Sequence, residues 1–433
     1  MTEQTPGHSG SEMMEYARRL FPICRSLTGD GVRETLRIIK EICGDLEVYE
    51  VPTGTKVFDW EIPEEWNIRD AYIIDPDGKK IADFMENNLH VMGYSEPVDK
   101  TLRLDELKEH LYTQVDLPDA VPYVTSYYKK RWGFCISENT RASLKEGVYR
   151  VFIDSDFKQG HLTYGELLIS GKSKKEILIS TYVCHPSMAN NEVSGPVLAA
   201  FLGNCIRSLH NRRYSYRIVF LPETIGAITY LSKNFEYMKE NTIAGFVLSC
   251  VGDNRAYSHI QSPYGDTLAD KVLRNVLSFI DHGHMVYSFL ERGSDERQYC
   301  APNINLPVCC FCRSKFGEYP EYHTDQDNLE LISEEGFEGA FNVMRDCIEA
   351  LEHNNYYKVT CFCEPQLGKR GLYPTLSKKG SATAVKAMTD FIAYANGTND
   401  LIDISNIINV QVAELIPIIK TLKTAGLISP QVR

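Results

Sequence analysis

The sequence predicts an α/β protein: a mixed, mostly parallel sheet flanked by helices, interrupted by a small inserted β-rich domain and followed by a helical tail. Three observations carry this expectation. From Tyr149 onward, continuous apolar runs of strand length alternate with helical stretches, the pattern of strands buried on both faces. Between Asp59 and about Ala142 the texture is aromatic and turn-rich instead. From Ser381, three helical stretches follow one another across tight turns. At 433 residues the chain exceeds the size at which one core usually stops growing, so two or three domains are expected.

The elements follow in order. "SEMMEYARRLFPIC" and "GVRETLRIIKEIC" have helical periodicity, separated at Ser26 to Asp30, and "LEVYEVP" reads as a strand. "WNIRDAYIIDPDGKKIADF" is strand, Asp-Gly turn, strand. "YRVFIDSDF", "HLTYGELLIS" and "KEILISTYVC" are strands, with a helix from Ser194 to about Leu209. "YRIVFLPE", a helix through "GAITYLSKN", "AGFVLSCVG" and "NLPVCCFC" complete the alternation. The expected domains are 1–58 with 143–354, the insertion 59–142, and the tail 355–433. The tail's second helix is short and its third, Val410 to Ala425, stops at Gly426, the sequence shape of a winged helix-turn-helix.

Composition narrows the function classes. No run of about 18 apolar residues exists, so no membrane span is expected. The first residues lack the basic and apolar regions of a signal peptide, which points to the cytoplasm. Most of the 13 cysteines sit in apolar stretches and read as core thiols of a reducing compartment. A net charge of −12 argues against nucleic-acid binding by the whole chain, although Tyr356 to Arg433 holds nine Lys or Arg against five Asp or Glu.

In parallel sheets, active groups collect beyond the carboxyl ends of the strands. His185 and Glu223 fall there, as does the loop "EYPEYHTDQDNLE", which carries His323. Neutral imidazoles and carboxylates are zinc ligands, and Glu192 and Asp295 add further carboxylates.

"CHPSMANNEVSG", "LPETIGAITYL", "LSCVGD", "GSDERQY" and "EYHTDQDNL" resemble, in order and spacing, the two-zinc aminopeptidase fold shared with glutaminyl cyclases. With "EPQLGKRGLYPTL", the chain looks like bacterial aminopeptidase-like proteins that have an inserted domain and a C-terminal winged helix. The resemblance covers nearly the whole chain. It implies a zinc-aminopeptidase-like sheet, with His185 and His323 as metal ligands, Glu223 as catalytic base and Asp327 as a carboxylate behind them. Asp295 matches an Asp that meets the substrate in the cyclases and would hold a substrate ammonium, Arg297 would bind an anionic substrate group, and Tyr322 would help bind the substrate. The family's bridging Asp falls on Asn191, its ligand Glu on Thr224 and its remaining ligand Asp on Ser249, while Ser187 replaces a further Asp. Two dications about 3.5–4 Å apart need a bridging anion. One zinc is therefore expected, on His185, His323 and a carboxylate from Glu192 (or the amide oxygen of Asn191).

The expected activity is zinc-dependent hydrolysis of an amide next to a free amine, on a small-molecule or short-peptide substrate. The family setting implies surface-polysaccharide metabolism as well as peptide turnover. The alternative is a degenerate hydrolase that binds a ligand and regulates through the tail. The third tail helix has no arginine and is largely apolar, which suits packing or a homo-oligomer better than reading DNA.

Overall fold

The computed structural model describes residues 9–372 and 381–431, so part of "EPQLGKRGLYPTL" lies outside the described residues. The chain forms two compact units, 1–269 with 285–341, and 270–284 with 342–433.

The first unit is built on an eight-stranded sheet. In chain order its strands are β1 (Glu47–Pro52), β2 (His161–Ile169), β3 (Glu176–Tyr182), β4 (Ser215–Leu221), β5 (Thr242–Leu248), β6 (Ser258–Ile260), β7 (Met285–Tyr287) and β8 (Val308–Cys312). Their spatial order is β1-β2-β4-β3-β5-β8-β6-β7. The middle four, β4, β3, β5 and β8, run parallel, and antiparallel pairings begin at β2 on one side and β6 on the other. Every residue of β3 is buried, which is why that strand reads as an unbroken apolar run.

Four helices matter for the site: α1 (Gly10–Leu20), α2 (Asp30–Cys43), α3 (Ser194–Ser208) and α4 (Ile225–Asn241). A capping box between Ser9 and Glu12 starts α1. Helix α3 is buried along most of its length, consistent with its nearly all-apolar sequence. At its first turn, Gly195 lies so close to the sheet that a Cβ there would sit 2.8 Å from the Leu248 carbonyl oxygen. Only glycine lets this helix begin where it does.

The inserted segment forms a four-stranded antiparallel sheet over its own core of Ala71, Ile73, Trp132, Phe134, Val151 and Ile153. One of its inner strands, Val148–Lys158, lies past residue 142 and pairs with Glu65–Ile74 on one side and Val98–Arg103 on the other. Its alternating burial is that of a one-faced sheet, unlike β3.

In the second unit, Tyr356–Val359 is the middle strand of a three-stranded sheet completed by Asn396–Asp400 and Ile428–Gln431. Helices Ser381–Tyr394, Leu401–Ile408 and Val412–Thr424 accompany it, giving the winged helix anticipated from the tail's spacing. The third helix begins two residues later than its periodicity suggests, because Asn409 is left-handed and Gln411 extended. Among the described residues no single helix is long and apolar enough to cross a membrane.

Candidate active site

Strands β3 and β4 pair in parallel with Tyr182 opposite Leu221, and their hydrogen bonding continues from the Val183 N–H to the Leu221 carbonyl. Both chains then leave the sheet at the same level. This register brings His185 and Glu223 together, with His185 Nε2 3.7 Å from Glu223 Oε2. The loop after β8 returns His323, whose ring centre is 5.7 Å from that of His185. His323 has a left-handed backbone (φ 57°), and its carbonyl accepts the N–H of Tyr123 from the inserted segment. The Tyr123 ring stands 5.2 Å from each imidazole, and Tyr322 stacks on His323 at 3.9 Å. His185, Glu223, His323 and Arg297 line a cavity of about 330 Å³ that Trp60 and Tyr128 also line.

Behind His185 the groups are tied up. Glu192 Oε2 accepts the backbone N–H of His185 at 3.0 Å and contacts its Nδ1 at 3.1 Å. Glu192 Oε1 pairs with Arg25 Nε at 3.2 Å, and both side chains are almost wholly buried. Arg25 Nε also donates to the His185 carbonyl. With Nδ1 engaged by a carboxylate, Nε2 is the nitrogen left facing Glu223. Burial opposes protonation of His185, but Glu192 and then Glu223 outweigh it, and its pKa is raised. Burial, assisted by His185, instead pushes His323 down to about 3, leaving it neutral and able to act as a ligand.

Glu223 sits just before a strained turn. Thr224 adopts φ 64°, a conformation that costs a β-branched residue on the order of 1–3 kcal/mol. Two groups hold it: Asp295 Oδ1 accepts the Thr224 N–H at 2.8 Å, and Arg297 Nη2 donates to its hydroxyl. Asp295 is fully buried behind this turn and is no part of the cavity wall. The sequence reading set Asp295 against the substrate; its burial gives it a supporting position instead. Desolvation raises the pKa of Glu223 despite the opposing charges of His185 and Arg297. Burial, then the charge of Glu223, raises that of Asp295 well above the usual carboxylate range.

Two of the positions where the aminopeptidase resemblance would put anionic ligands, Asn191 and Ser249, form a neutral network. The Tyr182 hydroxyl donates to the Asn191 carbonyl, accepts from Asn191 Nδ2 at 2.7 Å, and contacts Ser249 Oγ at 2.7 Å. Asn191 lies in a π-helical turn, Ala189–Val193, that leads into α3. Asp327 stands beneath this turn, accepting the N–H groups of Asn190 and Asn191 and the Tyr319 hydroxyl. It anchors the loop and makes no hydrogen bond to either imidazole.

These donors can be tested against zinc. Two imidazoles on one ion, with N–Zn bonds of about 2.0–2.1 Å, have ring centres no more than about 6.5 Å apart, and the observed 5.7 Å meets that limit. His185 and His323 on one cavity wall offer two of the nitrogen ligands that catalytic zinc uses, with Glu223 beside them on the same wall. A second ion has no such support, since Asn191 and Ser249 offer no charge and are bonded to Tyr182. By distance, Cys184, His185 Nδ1 and Glu192 could also share an ion, but Glu192 already balances the Arg25 charge.

Sequence reasoning missed Arg25 and the aromatic wall. Arg25 has no motif spacing that ties it to Glu192, 167 positions away. The wall was visible only as the aromatic richness of the insertion.

Residues 14–354 match the family model described as a domain of unknown function (DUF4910), and 355–430 match a winged helix-turn-helix model. A Clostridium acetobutylicum protein is 44% identical over 93% of this chain and 92% of its own length; it is described as a candidate polysaccharide biosynthesis protein with an aminopeptidase-like domain. A crystal structure of a candidate peptidase from Clostridium acetobutylicum, 42% identical, covers 98% of this chain and 96% of that one, with a TM-score of 0.91. A zinc aminopeptidase from Bacillus subtilis is similar in fold alone: 13% identity, 79% of this chain, 94% of that one, TM-score 0.57.

Proposed function

The chain belongs to the DUF4910 family, and on that premise we propose that it is an amide-bond hydrolase of the aminopeptidase-like fold, with one zinc site. The carrying observation is the convergence of His185, His323 and Glu223 on one cavity at the carboxyl edge of the sheet. His185 and His323 would hold the ion, which supplies Lewis acidity toward the amide carbonyl and the attacking water.

The remaining chemistry belongs to the chain. Glu223, with a raised pKa, takes a proton from water as the water oxygen adds to the amide carbon. The carbon–nitrogen bond then breaks, and Glu223 returns that proton to the leaving nitrogen. Asp295 and Arg297 hold the strained Thr224 turn that aims Glu223. Glu192, fixed by Arg25, keeps His185 Nε2 turned toward the cavity. The aminopeptidase reading adds a free amine beside the cleaved bond. With Asp295 out of the cavity, only Glu223 could meet that amine.

The protein's 13 free thiols support placement in a reducing compartment such as the cytoplasm. The relative's polysaccharide-biosynthesis description supports a small amide-bearing metabolite as substrate as much as a short peptide. One observation favours a second reading, a ligand-binding regulator: the neutral Tyr182–Asn191–Ser249 network. A panel of N-acyl and aminoacyl amides, assayed with added zinc and after chelation, separates the two. Zinc-dependent cleavage of any of them supports the hydrolase, and none at all supports the regulator.

A further inference from the structure

We propose that this cavity recognises its substrate by an anionic group, a carboxylate seated on Arg297 with an apolar body against the aromatic wall, and disfavours a free amine. The inference rests on the hydrolase reading for its context and concerns which end of the substrate carries charge.

Arg297 has five N–H donors and makes one hydrogen bond, from Nη2 to Thr224. Its Nε is buried with no partner. Among the described residues no carboxylate forms an ion pair with it. Arg297 is half-buried and feels the charge of Glu223 without bonding to it, and its planar fork matches a carboxylate in two parallel hydrogen bonds.

Among the described residues the other carboxylates near the site do not line the cavity. Glu192 is neutralised by Arg25, and Asp295 is fully buried behind Thr224. Among the described residues Glu223 is the one carboxylate on the cavity wall. An ammonium placed there would pair with the base, lower its basicity and meet the field of Arg297. Trp60 and Tyr128, 40% and 57% exposed with ring centres 5.8 Å apart, give the same cavity an apolar surface. An N-acyl amino acid with an apolar side chain has the matching shape and charge.

Probes without a scissile bond test this on the full-length protein, so the outcome does not depend on turnover. Calorimetric binding of 3-phenylpropanoate, phenethylammonium and phenyl phosphate is compared for the wild type and Arg297→Gln. We expect 3-phenylpropanoate to bind about 10-fold or more tightly than phenethylammonium. In Arg297→Gln that ratio falls to about one, with the melting temperature measured alongside because Arg297 also donates to the Thr224 hydroxyl. Equal or tighter amine binding overturns the proposal, as does no binding of any probe at millimolar concentration. A preference that survives in Arg297→Gln also overturns it, since a metal or another group would then hold the anion. Tighter, Arg297-dependent binding of phenyl phosphate overturns the assignment to a carboxylate. Should a melting shift cloud Arg297→Gln, Arg297→Lys keeps the charge without the fork, and an unchanged ratio in it overturns the bidentate contact.

Discussion

Glu192 holds His185 from behind, accepting its backbone N–H at 3.0 Å and lying 3.1 Å from Nδ1, while its other oxygen faces Arg25. Breaking a buried pair leaves one charge without a partner, at a cost of about 3–5 kcal/mol. Glu192→Gln should lose stability of that order in urea unfolding, as should Arg25→Met. The double variant should recover part of the loss, and strictly additive effects would contradict a coupled pair. In whatever folded Glu192→Gln protein remains, zinc affinity should fall about 10–100-fold.

Zinc stoichiometry tests the neutral network. Protein loaded with zinc and dialysed should retain at most one equivalent, because Asn191 and Ser249 supply no charge to a second ion. Two retained equivalents by elemental analysis would contradict this. Asn191→Asp should not restore the second ion. It should lower the melting temperature, since the new carboxylate would sit in a 2% exposed position beside neutral partners.

Asp327 gives the site a pH signature. Burial raises its pKa to about 6 in spite of the hydrogen bonds it accepts. The folded protein therefore binds this proton more tightly than the unfolded chain, whose Asp titrates near 3.9. Its contribution is fully present below about pH 4 and is lost as pH rises through about 6. Asp327→Asn should flatten that part of the stability–pH curve in denaturant titrations. An unchanged slope between about pH 4 and 6 would show that Asp327 is not its source.

The sheet and the tail were legible from buried runs such as "ILISTYV" and from helical spacing after Ser381, and the insertion from its aromatic, turn-rich texture; its strand Val148–Lys158 was read into the main sheet instead, because "YRVFIDSDF" directly precedes that sheet's apolar runs. His185, Glu223 and His323 were legible because strand ends are marked in sequence. The orientation of Glu192 was not, because it is set by Arg25, whose approach depends on how the segment between α1 and α2 packs. Nor was the burial of Asp295, which follows from the left-handed turn at Thr224.

The tail is expected to pack or associate and not to read DNA. Its third helix exposes Glu414, Lys420 and Lys423 and no arginine. So few cations hold little phosphate at physiological salt. Fluorescence anisotropy with random duplexes should give weak binding that disappears as salt rises. Salt-resistant, sequence-selective binding by the full chain would overturn this. A tail-dependent dimer in sedimentation would agree with it.

The most direct test is hydrolysis by Glu223→Gln, measured with zinc content on the same preparation, using whichever amide the wild type cleaves. Among the described residues the cavity wall holds one carboxylate, Glu223, which cannot be both a free base and a required metal ligand. As the base, Glu223 predicts a loss of about 10²-fold or more with zinc content unchanged. Full activity in Glu223→Gln, or loss of its zinc, would contradict the account.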